Sequence, residues 1–278
     1  MVRSPRRPTT EEQPMTSPLA GHTNSYHTYS FEEALTGIAE AGYAGVELSA
    51  VPSWTEHVDL DAPKEEIRAR LDHYGLSPVS LSGHSDLTTK EGLAHGIKAV
   101  RWAAAYGIPI VNTAIGGHWS EDEDESAFMS NVGELADAAK DAGVTVALEI
   151  HGEIMASGAK TRPLVERIGR DEIRVNYDTA NCEFYGDVAA VDDLPSIVQY
   201  LEHVHLKDKR GGAGVWDFPA PGEGHVDFAQ VIRVLRDGGF DGPCSVEIEF
   251  TGEPWPPLDE VNRAMTTAYR HLSSLGLS

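Results

Sequence analysis

Four short segments place acidic residues and histidines in alternation with apolar ones: Leu148-Glu149-Ile150-His151, Val175-Asn176-Tyr177-Asp178, His203-Val204-His205-Leu206-Lys207-Asp208 and Ser245-Val246-Glu247-Ile248-Glu249. Residues two apart on a strand share a face. Glu149 with His151, Asn176 with Asp178, His203 with His205 and Lys207, and Glu247 with Glu249 therefore point one way, while Leu148, Ile150, Val204, Leu206, Val246 and Ile248 point toward packed helices. Carboxylates crowded together away from water need a cation. A few carboxylate oxygens with one imidazole suit a divalent ion: Mn²⁺ is the first expectation, with Mg²⁺, Co²⁺ and Zn²⁺ as alternatives. Glu149, Asp178, His205 and Glu247 are the candidate ligands, although alternation alone does not separate Glu247 from Glu249 or His203 from His205.

Such an ion, chelated by a ketone oxygen and the neighbouring hydroxyl of a sugar, would stabilise the enediolate formed when the α-proton leaves. His151 is the expected base, because imidazole titrates near neutrality; the competing reading makes it an orienting neighbour of the ion. Expected substrate contacts are His84, Asn181, Lys207 and Trp216, the last as an indole platform for a sugar ring or as a plug of the site. His22, Asn24, Asp86, Asn112 and Asp208 are weaker candidates. The cations near this region are Lys207, Lys209 and Arg210, which favours a neutral keto-sugar or polyol over a phosphorylated one.

The elements that must position these groups follow a repeated βα pattern. Strands are expected at Gly21–Tyr26, Gly45–Ser49, Ser77–Leu81, Pro109–Ala114, Thr145–Ile150, Arg174–Asp178, His203–Leu206 and Ser245–Phe250. Helices are expected at Phe31–Ala41, Lys64–Tyr74, Thr89–Tyr106, Glu125–Ala142, Lys160–Ile168, Asp193–Leu201, Phe228–Gly238 and Leu258–Leu275. Several helical stretches end in a glycine just before the next strand (Gly42, Gly75, Gly107, Gly143), as a left-handed C-cap requires. Eight such units with no composition break predict an α/β fold, a closed (β/α)₈ TIM barrel whose chemistry lies at the C-terminal ends of its strands. A doubly wound open sheet is the alternative, without a Gly-rich dinucleotide fingerprint to support it.

The five segments Leu148-Glu149-Ile150-His151, Tyr177-Asp178-Thr179-Ala180-Asn181, His203-Val204-His205-Leu206-Lys207-Asp208, Pro221-Gly222-Glu223-Gly224 and Gly242-Pro243-Cys244-Ser245-Val246-Glu247, in this order, resemble the sugar phosphate isomerase/epimerase family with the xylose isomerase-like barrel. The resemblance covers roughly residues 20–275. It implies metal ligation by Glu149, Asp178, His205 and Glu247, and proton transfer by a metal-bound carboxylate, Glu149 or Glu247, in competition with His151. One departure is Asn181, where many relatives carry a substrate-binding His. The tract Glu149 to Gly152 and the long loop Gly211–Gly224 also resemble the larger subunits of bacterial C-glycoside deglycosidases, which would allow a small second subunit. A homo-oligomer is the other expectation for this architecture.

The chain of 278 residues carries 22 Lys and Arg against 44 Asp and Glu, a formal charge of −22, which argues against nucleic acid or an anionic membrane surface as partner. It also weighs against the abasic-site endonucleases that share this barrel. No apolar run approaches the length of a membrane helix. Residues 1–20 are expected to form a disordered leader, with Met15 as an alternative start, and residues 21–278 a single barrel domain. Two cysteines, Cys182 and Cys244, make no disulfide framework and fit a reducing cytoplasm. The acidic run Glu121–Glu125 reads as a solvated helix entrance.

The function expected is a divalent-metal-dependent sugar isomerase or epimerase. The alternative keeps the metal but ends in β-elimination, as a keto-inositol or 3-dehydroshikimate dehydratase or a lyase acting on a 3-keto-glycoside. A non-catalytic binding subunit is the bland reading, and four convergent ligands argue against it.

Overall fold

The computed structural model describes residues 17–52, 54–116, 122–251 and 254–278. Of the leader expected over residues 1–20, residues 1–16 lie outside the described residues, while Leu19 and Ala20 belong to the first strand; the side chains of the acidic run before Glu125 also lie outside the described residues. Eight parallel strands, β1 (Leu19–His22), β2 (Gly45–Ser49), β3 (Ser77–Ser82), β4 (Ile110–Thr113), β5 (Thr145–Glu149), β6 (Ile173–Asp178), β7 (Leu201–Leu206) and β8 (Cys244–Val246), pair in sequence order. The barrel closes where β1 pairs with β8. Around it run α1 (Phe31–Ala41), α2 (Lys64–Tyr74), α3 (Lys90–Tyr106), α4 (Asp122–Ala142), α5 (Gly158–Ile168), α6 (Asn181–Gly186), α7 (Ala190–Asp193), α8 (Phe228–Asp237) and α9 (Leu258–Ser274). Ser30 and Glu33 form a capping box at the start of α1, and Gly42 ends it with φ 110°, a backbone conformation that glycine adopts without strain.

Strand alternation divides each strand between two environments. Val46, Leu48, Val146, Leu148, Val175, Val204, Leu206 and Val246 are fully buried in the layer between sheet and helices. Each such aliphatic side chain contributes about 1.5–3 kcal/mol by burial. The other face looks into the barrel, as bonds between non-adjacent strands require: Ser80 of β3 meets His203 of β7 at 3.1 Å, and Glu47 of β2 meets His205 of β7 at 3.1 Å. The barrel interior is therefore polar.

Three expected elements differ from those observed. β1 starts and ends earlier than expected, and Thr23–Tyr26 form a 3₁₀ turn because the His22 ring accepts the Asn24 amide at 3.0 Å. Asn24 thus follows the strand rather than lying in it. The β8 ladder stops at Val246 because Ser25 Oγ accepts the Ile248 amide at 3.0 Å, so Glu247 and Glu249 stand beyond the strand. The helix expected over Asp193–Leu201 is replaced by the end of α7, two 3₁₀ turns (Leu194–Ser196 and Val198–Tyr200) and the start of β7. Pro195 has no amide to continue a helix. Its apolar neighbours Leu194 and Ile197 are buried all the same.

Asp193 carries a further load at this junction. Its carboxylate accepts the amides of Gly158 (2.5 Å) and Ala159 (3.0 Å) at the start of α5, and the Tyr177 hydroxyl (2.9 Å) from β6. Asp193→Ala should therefore destabilise the fold by about 2–3 kcal/mol in urea unfolding, with Asp193→Asn losing less because one acceptor oxygen remains. An unchanged midpoint in both variants would remove this carboxylate from the structural frame.

Candidate cation and substrate site

At the C-terminal end of the barrel, Glu149, Asp178, His205 and Glu247 each offer one donor atom within 4.8 Å of the others, and all four are buried. Glu149 and Asp178 are the last residues of β5 and β6, and His205 is the register partner of Asp178 on β7. Strand ends position them because the pleat turns their side chains inward while the next turn leaves the mouth open. His205 Nδ1 lies 3.1 Å from Glu149 Oε1 and 3.5 Å from Glu247 Oε2. Asp178 Oδ1 accepts the Ala180 and Asn181 amides at 2.8 and 2.9 Å, at the start of α6. Its other oxygen, Oδ2, is buried without a hydrogen-bond partner.

Depth separates the pairs that alternation left open. His203 lies in a deeper layer, held by Asn176 Oδ1 (3.0 Å), Ser80 (3.1 Å) and Ser245 (3.0 Å). Glu249 lies further out, ion-paired with Lys207. The Lys207 ammonium also stands 3.3 Å from Glu247 and 3.6 Å from Asp178, and 4.6 Å from the centre of the Phe218 ring.

Electrostatics follow from this crowding. Burial pushes the Asp178 carboxyl up to about 7, and the Glu149 and Glu247 charges add to burial against the opposing pull of Lys207. Burial alone would raise Glu247 too, but Lys207, His205 and His22 outweigh it and bring it down to about 2. Glu149 is likewise held well below its ordinary value against burial, by His84 and His205. His205 is raised well above an ordinary imidazole, because Glu47, Glu247 and Glu149 overcome its desolvation. His203, desolvated with less compensation, falls to about 3.

The remaining expected contacts surround a cavity of about 290 Å³ above this cluster. His84 lies just past β3, its Nε2 2.6 Å from Glu149 Oε2 and its Nδ1 2.9 Å from Ser82 Oγ. Asn181 donates to the Ile150 carbonyl at 3.0 Å and approaches Glu149 Oε1 at 3.5 Å. His151 sits at the exposed rim, its Nε2 2.9 Å from the Tyr185 hydroxyl. Trp216 lines the cavity, 41% exposed, with its ring edge-on to Phe184 and Phe218.

The loop carrying Trp216 is held by two buried charges. Asp208 accepts the amides of Lys209, Gly222, Gly224 and Val226. The Lys209 ammonium donates to the carbonyls of Arg210, Gly211 and Val215. Gly224 is required here, because a Cβ would stand 2.2 Å from Asp208 Oδ1.

Other groups at the site were not anticipated. Glu47 is fully buried beneath His205, a signal already present in the alternation Gly45-Val46-Glu47-Leu48. Trp54, Phe184, Tyr185 and Phe218 form an aromatic wall that no local pattern announces. Asn24, a weak candidate, donates to Glu247 Oε1 at 2.9 Å.

The xylose isomerase-like TIM barrel family model matches residues 35–270. The chain belongs to this family. Its sequence is 26% identical over 260 residues to L-ribulose-5-phosphate 3-epimerase UlaE of Salmonella heidelberg, covering 87% of this chain and 90% of that protein. The barrel superposes on the IOLI protein, solved with a zinc atom, with TM-score 0.76 at 17% identity, covering 93% of this chain and 97% of the other. It superposes on D-allulose 3-epimerase from Methylomonas sp., solved with D-allulose, with TM-score 0.72 at 20% identity, covering 97% of this chain and 99% of the other.

The donor set fits a divalent cation: three carboxylates and one imidazole converge, and Asp178 keeps an oxygen that accepts no hydrogen bond, with the Lys207 ammonium 3.6 Å away. Binding must displace the protons that His205 and Asp178 hold, the latter up to about 7. Protons therefore compete with the ion on the acid side. Mn²⁺ affinity measured calorimetrically should rise with pH from about 6 to 8, by up to about tenfold per unit for each proton displaced, with proton release visible in buffers of different ionisation enthalpy. A flat profile over this range would mean that these two groups do not meet the ion.

Proposed function

We propose that this barrel is a divalent-cation-dependent epimerase or isomerase of an unphosphorylated keto-sugar. The observation that carries the reading is the convergence of Glu149, Asp178, His205 and Glu247, with Glu149 and Glu247 lining an open cavity. A bound divalent cation supplies electrophilic stabilisation of the negative charge that develops on a sugar carbonyl as its neighbouring proton leaves. Mn²⁺ is the preferred ion for so oxygen-rich a donor set, with Mg²⁺, Co²⁺ and Zn²⁺ as alternatives.

Glu149 and Glu247 are the proton-transfer pair in this reading. His84 holds Glu149 Oε2 and Asn24 holds Glu247 Oε1, which turns Glu149 Oε1 and Glu247 Oε2 toward His205. Carboxylates from β5 and from beyond β8 approach a bound sugar from different sides, as removal of a proton from one face and its return to the other requires. In this reading His151, beside Tyr185 at the rim and lining the cavity, contacts substrate hydroxyls, and the expected role as base passes to Glu149 and Glu247.

The charge inventory supports an unphosphorylated substrate. Lys207 is committed to Glu247, Glu249 and Asp178. Lys209 is spent on loop carbonyls, and Arg210 turns to the Glu223 carbonyl at 2.9 and 3.0 Å. A phosphate would meet the aromatic wall instead. Among the similar proteins, one is named for a sugar phosphate and another is solved with a free ketose; the committed cations side with the latter.

The test is deuterium wash-in from D₂O, followed by NMR, with free ketopentoses and ketohexoses, their phosphates and 3-keto-glycosides, in the presence of Mn²⁺. Exchange at a carbon next to the carbonyl of a free ketose, with an epimer or isomer as product, is expected. Glu149→Gln and Glu247→Gln should each lower the rate by about 10²–10⁴-fold. Turnover confined to phosphates would overturn the substrate class, an elimination product would make the enzyme a lyase, and full exchange in both variants would dismiss the carboxylate pair.

A further inference from the structure

Below the four convergent ligands lies a second group of ionisable side chains that the proposed chemistry does not use. Glu47, on β2, is fully buried and reaches across the barrel. Its Oε2 lies 3.1 Å from His205 Nε2 and 3.3 Å from His203 Nε2. Its Oε1 accepts the Asn112 amide at 2.6 Å and lies 3.6 Å from His22 Nε2. The His205 ring is thus clamped between two acidic environments, with Nδ1 toward Glu149 and Glu247 and Nε2 toward Glu47. The Asn176 amide lies 3.2 and 3.3 Å from the two ring nitrogens, nearly equidistant, so it selects neither.

A neutral imidazole that gives one nitrogen to a cation must carry its proton on the other, and a carboxylate facing that second nitrogen fixes both the tautomer and the ring plane. We propose that Glu47 is the positioning residue of the cation centre: its carboxylate accepts a hydrogen bond from His205 Nε2–H and so presents Nδ1 to the ion beside Glu149, Asp178 and Glu247. Asn112 fixes the Glu47 carboxylate in turn, from the neighbouring side of the barrel. The inference rests on the cation-dependent reading above, and it names the strand-two residue that tunes the centre without touching ion or sugar. His22, Glu47 and His205 also lie within 4.8 Å of one another, which sets a second bound ion as the rival arrangement.

The experiment uses the full chain, stripped of metal and titrated calorimetrically with Mn²⁺, alongside the visible spectrum of the Co²⁺-loaded protein. Wild type should bind one ion. Glu47→Gln, of equal size, should still bind one ion but about 10–100-fold more weakly, with altered Co²⁺ d–d bands. Asn112→Ser, which leaves the carboxylate but frees it, should lose less. Circular dichroism of the metal-free variants separates a folding defect from a binding defect, and Asn112→Ser carries the test if Glu47→Gln does not fold. Equal affinity and spectrum in folded Glu47→Gln would overturn the proposal while leaving the cation site standing. Two ions in wild type and one in Glu47→Gln would replace it with a second metal site. No ion bound by wild type would instead dismiss the functional reading itself.

Discussion

Five carboxylates, Glu47, Glu149, Asp178, Glu247 and Glu249, occupy the interior and mouth of one barrel, with the Lys207 ammonium and the His205 and His84 imidazoles set among them. An unpaired charge in a protein interior costs several kcal/mol, so every side chain around this group has to be accounted for by that cost. The opposite displacements of Asp178 and Glu247, one raised to about 7 and the other lowered to about 2, express the same shortage of positive charge shared unequally. Lys207 lies nearer Glu247 than Asp178, and Asp178 is left to hold a proton or to meet a cation.

The fold meets that cost in layers. Hydroxyl and amide groups of Ser80, Asn112, Asn176 and Ser245 line the deep interior and hold Glu47 and His203. Backbone amides at the start of α6 take one oxygen of Asp178 and leave the other to the centre. Beyond β7, Asp208 and Lys209 are buried on backbone amides and carbonyls and so shape the loop that carries Trp216 and Phe218. Charges spent on architecture are not available to a substrate. Under the proposed reading, this commitment of three neighbouring cations favours an unphosphorylated sugar.

Much of this was readable from alternation. Glu149, Asp178 and the pairs His203/His205 and Glu247/Glu249 stand out because polar residues interrupt apolar strands at period two, and a strand buried on both sides tolerates such an interruption only where the polar groups meet one another. Glu47 obeys the same rule within Gly45-Val46-Glu47-Leu48-Ser49, but a single buried acid at mid-strand does not by itself mark the mouth of the barrel. The 3₁₀ turn at Thr23–Tyr26 was not readable, because it is decided by a side chain bonding to backbone, His22 to the Asn24 amide, whereas the break after Asp193 follows from Pro195 and was legible in principle.

By itself, the sequence determined the eight βα units, the inward face of each strand and the chemical types gathered there, since these depend on local periodicity and on the backbone bonding that each period satisfies. Alternation left depth to the tertiary structure: that His205 rather than His203 and Glu247 rather than Glu249 join the cluster, and which aromatic rings close the cavity. Depth is set by strand register and barrel closure, relations between residues up to the whole chain apart, and no local pattern carries them.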